Sequence, residues 1–453
     1  MLTLYTPATG FPDLEVKIAY GLARVAVEAG YEPVIVSYGG FYGVKIEEEI
    51  DKVNKTFNTI AKRILSSEHI PLNTPGITIR SANTIQVKDS EYFDIGIFKN
   101  IVEVAEHKNS ENFCRHNVNA KVSNVLGFTA SATTGVLCKR DGLDITFYQR
   151  QPRRPTDPRD ICKTCALLSL LGMWYASFIF SVADREVIVI PIPNQKLSDS
   201  KLQEIFALQH QVRKEWFNQN IPQSLIPLVF LSKIPSSTDI LKGFDLFIAV
   251  LSRQQGYHVD GLFLMQIKYY LDFIRQTSYN IATIDRLLVS EAYSALQELN
   301  NSIYYRKLDS LLKFARLYVQ ETSTNNWTNL LYPKTANYLL KEVAMISPNI
   351  IENGALQSLA RTLRYFIRGK KYGYADDIRN ARKDSRDFEK TIAKMLREGR
   401  LKLEQEEKIH LPAEEEIKEI FRLANEDFES TKLALVMLAF SFPSRSEEDV
   451  EQE

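Results

Sequence analysis

Cysteine is scarce in this chain. Four residues in 453 are too few for a disulfide framework at such a length. The six histidines, His69, His107, His116, His210, His258 and His410, stand apart, and no two sit at metal-ligand spacing. His258 and Asp260 in GYHVDG are spaced for a small polar site, and a surface turn is the first reading. There is no HExxH, no GxSxG, no paired-aspartate polymerase signature and no helicase motif, so no nucleophile, base and oxyanion donors follow in a recognisable order. Gly39, Gly40 and Gly43 do not make a dinucleotide fingerprint, and no GK[ST] phosphate loop occurs, so these glycines read as a turn. Long apolar runs are missing too. The longest, Ala166 to Phe180, is interrupted by Ser169, Gly172 and Ser177 and falls short of a membrane span of about 20 residues. It reads as a buried helix. The opening MLTLYTPATGF has no basic segment ahead of an apolar run, so neither a signal peptide nor a membrane partner is expected, and the expected location is cytoplasmic. Net charge is also absent, with 56 basic residues against 56 acidic ones.

What is present is ordinary in bulk and uneven in detail. A hydrophobic content of 45% and a charged content of 25% describe a globular chain able to bury sizeable cores, with two or three domains expected. The neutrality is a cancellation between neighbours. Residues 355–403 hold fourteen Lys or Arg against six acids, a net of +8; residues 404–453 hold fifteen acids against five bases, a net of −10. In the basic stretch Leu356, Leu359, Leu363, Phe366 and Ile367 form one apolar helical stripe. Arg361, Arg364 and Arg368 recur at helical spacing on a different face. Gly369 and Gly373 bracket Lys370, Lys371 and Tyr372, which predicts a helix-ending turn. A second helix is expected over 375–403, with Ile378, Phe388, Ile392, Met395 and Leu396 inward. Arg379, Arg382, Lys383 and Arg386 are expected on its basic face among Asp376, Asp377, Asp384 and Asp387. Interleaved acids also suit a solvated helix laced with ion pairs. The Arg triad and Lys pair suit a phosphate backbone, which binds by counterion release and needs no catalytic residue.

Taken in order, the chain predicts a mixed α+β N-terminal part followed by a mainly α-helical C-terminal bundle. Helices are expected over 13–29, closed by Gly30, and over 47–65; strands over 33–38, 77–87, 142–149 and 186–193. Residues 195–354 read as mainly helical, with helices at 197–216, 261–275, 281–299 and 303–319, a strand at 224–231 and a polar linker at 322–329. Helices are also expected at 413–424 and 427–440. The expected domains are 1–195, α/β; 196–330, a helical middle region; 331–443, a helical bundle with a basic face; and 444–453, an acidic disordered tail.

Two polar stretches add candidates. Asn117, Asn119, Lys121 and Asn124 are spaced so that some face a common ligand, and such side chains bond phosphates and base edges. A capped, irregular loop is the other reading. Arg150, Arg153, Arg154 and Arg159 follow in QRQPRRPTDPR beside Tyr148; three prolines hold this loop extended, as a groove-entering arm or as a solvated linker. Cys162 and Cys165 form a lone CxxC, half of a tetrahedral zinc site, which Cys114, Cys138 or His116 would have to complete. Buried structural thiols are the first reading, a structural zinc the second, and a redox motif the last, because no strand precedes the pair.

These features together resemble the large subunit of archaeal type I CRISPR effector complexes (Cascade), subtype I-A above all. The likeness rests on the α/β start, the CxxC at the head of the apolar helix 162–180, the strand 187–193 ending in prolines, and RYFIRGKKYGYADDIRNARKDSRDFEKTIAKMLREG at 364–399, about half the chain. The resemblance implies a non-catalytic subunit at the crRNA 5′ end, beside the repeat-handle-binding subunit, with the backbone and small subunits as further partners. It implies recognition of the protospacer-adjacent motif in double-stranded target DNA by the N-terminal part, guidance of displaced DNA by the helical C-terminal part, and docking of the helicase-nuclease. The family often carries a zinc-binding cysteine cluster; here there is one CxxC and two isolated cysteines. By chemistry Asn117, Asn119, Lys121, Arg150, Arg153 and Arg154 are the candidate readers of DNA. Two rivals stay open: a nucleic-acid-processing enzyme with a dispersed site, and a helical scaffold whose charged faces meet only protein.

Overall fold

The computed structural model describes residues 1–8, 12–47, 49–66, 93–100, 163–183, 185–212, 221–234, 239–253, 257–383 and 386–443. They fall into two compact units, Met1–Gln223 with Ser236–Lys268, and Ser224–Pro235 with Tyr269–Glu453. The architecture is α+β, with the sheets in the first unit and a mainly helical C-terminal part.

The first unit is built around a close helix pair. In α1 (Pro12–Glu28) the expected stripe of Leu14, Ile18, Leu22 and Val25 is fully buried. Gly30 takes a left-handed φ of +87° just past its end, which only glycine adopts without strain. α1 packs along α3 (Lys163–Ala176), with α2 (Ile50–Ser66) on another side of α1. The approach of α1 to α3 needs two glycines. A Cβ on Gly21 would lie 2.1 Å from the Leu168 carbonyl oxygen, and one on Gly172 would lie 1.8 Å from that of Lys17. Lys17 and Asp13 form a fully buried pair at 3.5 Å, and burial lowers the lysine's pKa against the pull of that carboxylate. The Tyr20 hydroxyl donates to the Pro191 carbonyl at 2.7 Å.

Two antiparallel sheets flank this pair. One has the order β1 (Leu2–Tyr5), β3 (Tyr42–Ile46), β2 (Val34–Ser37). Gly43 therefore sits inside a strand and not in the expected turn. The other runs β4 (Phe178–Val182), β5 (Arg185–Pro193), β6 (Phe244–Arg253), β7 (Tyr257–Gln266), with Phe247 set between Ile190 and Leu264. α4 (Asp199–Val212) completes the described α-helices here, beside a short 3-10 helix at Ile95–Lys99. Three expectations are corrected. The apolar run 166–180 is a helix only to Ala176; Phe178–Val182, rich in aromatic and β-branched residues, pairs as a strand. Residues 195–354 are not helical throughout, because 244–266 is a β-hairpin, and the helix expected over 261–275 is a strand to Gln266. An apolar run buried on both faces loses the period that separates strand from helix. The strands expected at 77–87 and 142–149 lie outside the described residues.

The second unit is helical. Its first element, α5 (Ile226–Lys233), replaces the strand expected at 224–231; Pro227 in the first turn favours the helix. α6 (Lys268–Gln276), α7 (Ser278–Val289), α8 (Tyr293–Tyr305) and α9 (Leu308–Thr322) follow. The helix expected over 281–299 breaks at Ser290–Ala292, and the one over 303–319 breaks at Arg306, where Glu291 and Arg306 take left-handed φ values of 51° and 54°. α10 (Pro333–Tyr338), α11 (Pro348–Ile351), α12 (Gly354–Arg368), α13 (Gly373–Asn380), α14 (Asp387–Glu404), α15 (Glu414–Glu426) and α16 (Phe428–Ala439) complete it. The helix expected over 375–403 is thus two, with the chain extended at Ala381. α16 is buried along nearly its whole length and packs on α12. Among the described residues no helix is long and apolar enough to cross a membrane.

Candidate nucleic-acid interface

α12 forms where the apolar spacing places it. Asn353 caps it, its side chain accepting from the Leu356 N–H at 3.1 Å, and Leu356, Leu359, Leu363, Phe366 and Ile367 are all buried. Its end differs from expectation. Lys370, not a glycine, takes the left-handed φ of 60°, and the N–H of Lys371 closes the turn on the Phe366 carbonyl at 2.9 Å. The Lys370 ammonium is tied to the Thr324 carbonyl at 2.8 Å.

The Arg triad does not act as one outward face. Arg361 and Arg368 are exposed, but Arg364 is only 8% exposed. Its Nε donates to the Ser441 carbonyl and its Nη2 to the Leu438 carbonyl, each at 2.6 Å. The Leu438 carbonyl is in the last turn of α16 and that of Ser441 lies just past it, where the negative end of the helix dipole favours a cation. Burial, then Arg368, then Arg361, push the Arg364 pKa down to about 10. On α12 it lies one turn from the buried Ala360 and Ile367, so a distant helix end, invisible to local spacing, decides its role. Arg364 is therefore corrected from a member of an outward arginine face to a buried side chain that caps α16.

The other candidates are engaged to different degrees. Lys371 pairs with Glu398 at 3.0 Å, and Tyr374 donates to the same carboxylate; these two hydrogen bonds hold the Glu398 pKa below the usual carboxylate range. Arg379 lies 3.6 Å from Asp376, which also meets Arg316 at 3.5 Å. It lines a cleft of about 310 Å³ whose other charged walls are of both signs, Asp309, Lys313, Glu429 and Lys432. Asn117, Asn119, Lys121, Arg150, Arg153, Arg154, Cys114, Cys138 and Cys162 lie outside the described residues. Cys165 is fully buried in α3. Among the described residues no three His, Cys, Asp or Glu are grouped to hold a metal.

The surface that local spacing leaves unnoticed is on α14. Its inner side is Phe388, Thr391, Ile392, Met395 and Gly399. On the opposite side Lys390, Lys394, Arg397 and Arg400 are exposed, with Arg386 leading in at the helix start, and none of them meets a carboxylate among the described residues. Glu389 and Glu404 are exposed beside them. The signal is the recurrence at three and four residues; treating 375–403 as one helix blurs its phase.

The acidic segment that follows is largely occupied. Arg422 bridges Glu419, at 2.7 Å, and Glu426; Lys418 meets Glu414 at 3.0 Å; Lys402 meets Glu407 at 2.7 Å. Ser358 of α12 lies 2.7 Å from His410 Nε2 and donates to Glu416 at 3.0 Å, while Thr362 donates to the His410 carbonyl at 2.7 Å. With Ser358 buried in mid-helix, this hydroxyl, imidazole and carboxylate act as a strut fastening the segment before α15 onto α12.

No protein-family model matches this chain, and no characterised protein is significantly similar to it.

Proposed function

We propose that the second unit binds a nucleic-acid backbone through the outward face of α14, and that the chain serves as the non-catalytic, DNA-binding large subunit of a type I CRISPR surveillance complex. One observation carries the first part: a run of exposed Lys and Arg on one helical face with no carboxylate partners among the described residues. Cations left unpaired on a helix are the form that phosphate binding takes, since each phosphate neutralised releases a counterion. The second part rests on the resemblance of residues 364–399, and assigns motif reading to Asn117, Asn119, Lys121, Arg150, Arg153 and Arg154. Its partners are crRNA, double-stranded target DNA, the backbone, repeat-handle-binding and small subunits, and the helicase-nuclease.

The test is a salt-titrated binding assay with short duplexes and single strands. Log affinity is expected to fall steeply with log salt. Replacing Lys390, Lys394, Arg397 and Arg400 with Gln is expected to reduce the duplex slope by up to about 0.9 for each phosphate that is no longer neutralised. A flat wild-type slope, or a variant slope equal to it, overturns the reading. Co-expression with crRNA and the other subunits tests the assignment to a complex, with stoichiometric co-purification as the expected result. A second reading, a protein scaffold, is favoured by Leu401 and Leu403, 53% and 52% exposed at the end of α14; it predicts that Leu401→Ser weakens subunit capture and leaves the salt slope alone.

A further inference from the structure

A buried guanidinium is normally matched by a carboxylate. Arg364 is not: among the described residues its partners are two neutral carbonyls, and its Nη1 has none. The side chain lines a cleft of about 210 Å³ between α12 and the chain after α16, and Arg361 lines the same cleft. Arg361 is exposed and makes no ion pair among the described residues. Asn337 adds an amide without a hydrogen-bond partner among the described residues. The one acid on the wall, Glu352, is held by Lys341 at 2.8 Å. The remaining wall includes Ala360, Ile351 and Leu438. Two arginines lining one small cleft bring planar forks that match the oxygens of a tetrahedral anion better than the point charge of a lysine would.

We propose that this cleft is a phosphate-binding site, with Arg361 and the free edge of Arg364 as its charged ligands and the Asn337 amide as a neutral one. It does not depend on the α14 reading, because none of its residues belongs to that helix.

The experiment titrates inorganic phosphate into the full chain at constant ionic strength, with chloride as the exchanged ion, following calorimetric heat and thermal midpoint. Saturable binding is expected, with Arg361→Gln weakening it by about tenfold or more, the effect of removing one charge-assisted hydrogen-bonding partner. Asn337→Ala is expected to weaken it less. Arg361 is exposed and Asn337 half-buried, neither side chain holds another described residue by a hydrogen bond, and both changes leave the α16 cap in place, which keeps the test independent of folding. The glutamine variant of α14 is expected to bind phosphate as wild type does even where it loses its salt slope. An oligonucleotide with a 5′-phosphate, set against the same strand without it, names the source. If only the phosphorylated strand competes, the site takes a nucleic-acid end; if neither strand competes, it takes free phosphate. Absence of saturable binding, or wild-type affinity in Arg361→Gln, overturns the proposal.

Discussion

Arg364 shows how much one side chain can be asked to do. Its Nε and Nη2 end α16 by taking the carbonyls of Ser441 and Leu438, and α16 is buried along nearly its whole length. Arg364→Ala leaves both carbonyls without that donor in a buried place. The expected cost is about 2–4 kcal/mol, read as a lower denaturant midpoint at unchanged slope. Arg364→Lys keeps the charge but supplies one point donor where two directions are needed, so it should recover only part of the loss. A variant as stable as wild type would show that α16 does not need this cap. The physical reason for the misplacement from sequence is general. A long cation beside an apolar stripe reaches either solvent or a neighbouring helix end, and local spacing alone does not separate the two.

At the scale of elements, α13 and α14 are joined through Glu398, which takes hydrogen bonds from Tyr374 and Lys371. These partners lower its pKa, while burial first and that same hydrogen bond second raise the pKa of Tyr374, so the phenol stays a donor. The sign follows from linkage. A carboxylate depressed in the folded state adds stability that is present above its unfolded pKa and is lost as pH falls through the folded one. Amide protection in α13 and α14 should therefore hold at neutral pH and fall off below the ordinary carboxylate range, about pH 4. Glu398→Gln should flatten that profile; a variant that keeps the wild-type dependence assigns it to other groups. Elements with one apolar face were legible from sequence: α12 and α15 stand close to where the spacing put them. Fully buried runs were not. Ile226–Leu231 and Phe178–Val182 carry no polar side to set a phase, and pairing with β5 or packing with α7 decided between strand and helix. Breaks were hidden too, because Glu291 and Arg306 take left-handed geometry with nothing in their side chains to announce it. The basic region was found, but which cations remain outward depended on partners far along the chain.

On the scale of the whole molecule, the units are not consecutive in sequence. α5 belongs with the second unit although residues of the first lie on both sides of it. Ser224 Oγ donates to Gln297 at 2.7 Å, and Lys233 pairs with Asp285 at 2.6 Å. Ile226 to Ser232 are buried without exception. A fragment comprising residues 269–443 is therefore expected to expose apolar surface and bind a hydrophobic dye, and a linked copy of 224–235 should suppress the signal. Equal dye binding with and without that segment would show that α5 is dispensable. The arrangement also has a consequence for synthesis. Ser224 must wait for a partner 73 residues downstream, which at about 5–20 residues per second is a delay of roughly 4–15 s. For most of that interval the apolar segment IPLVFL is made ahead of α7, the helix it packs against. It is the stretch of the nascent chain that a holding chaperone would be expected to seize, and the step at which heat shock or rapid overexpression would divert the protein into inclusion bodies.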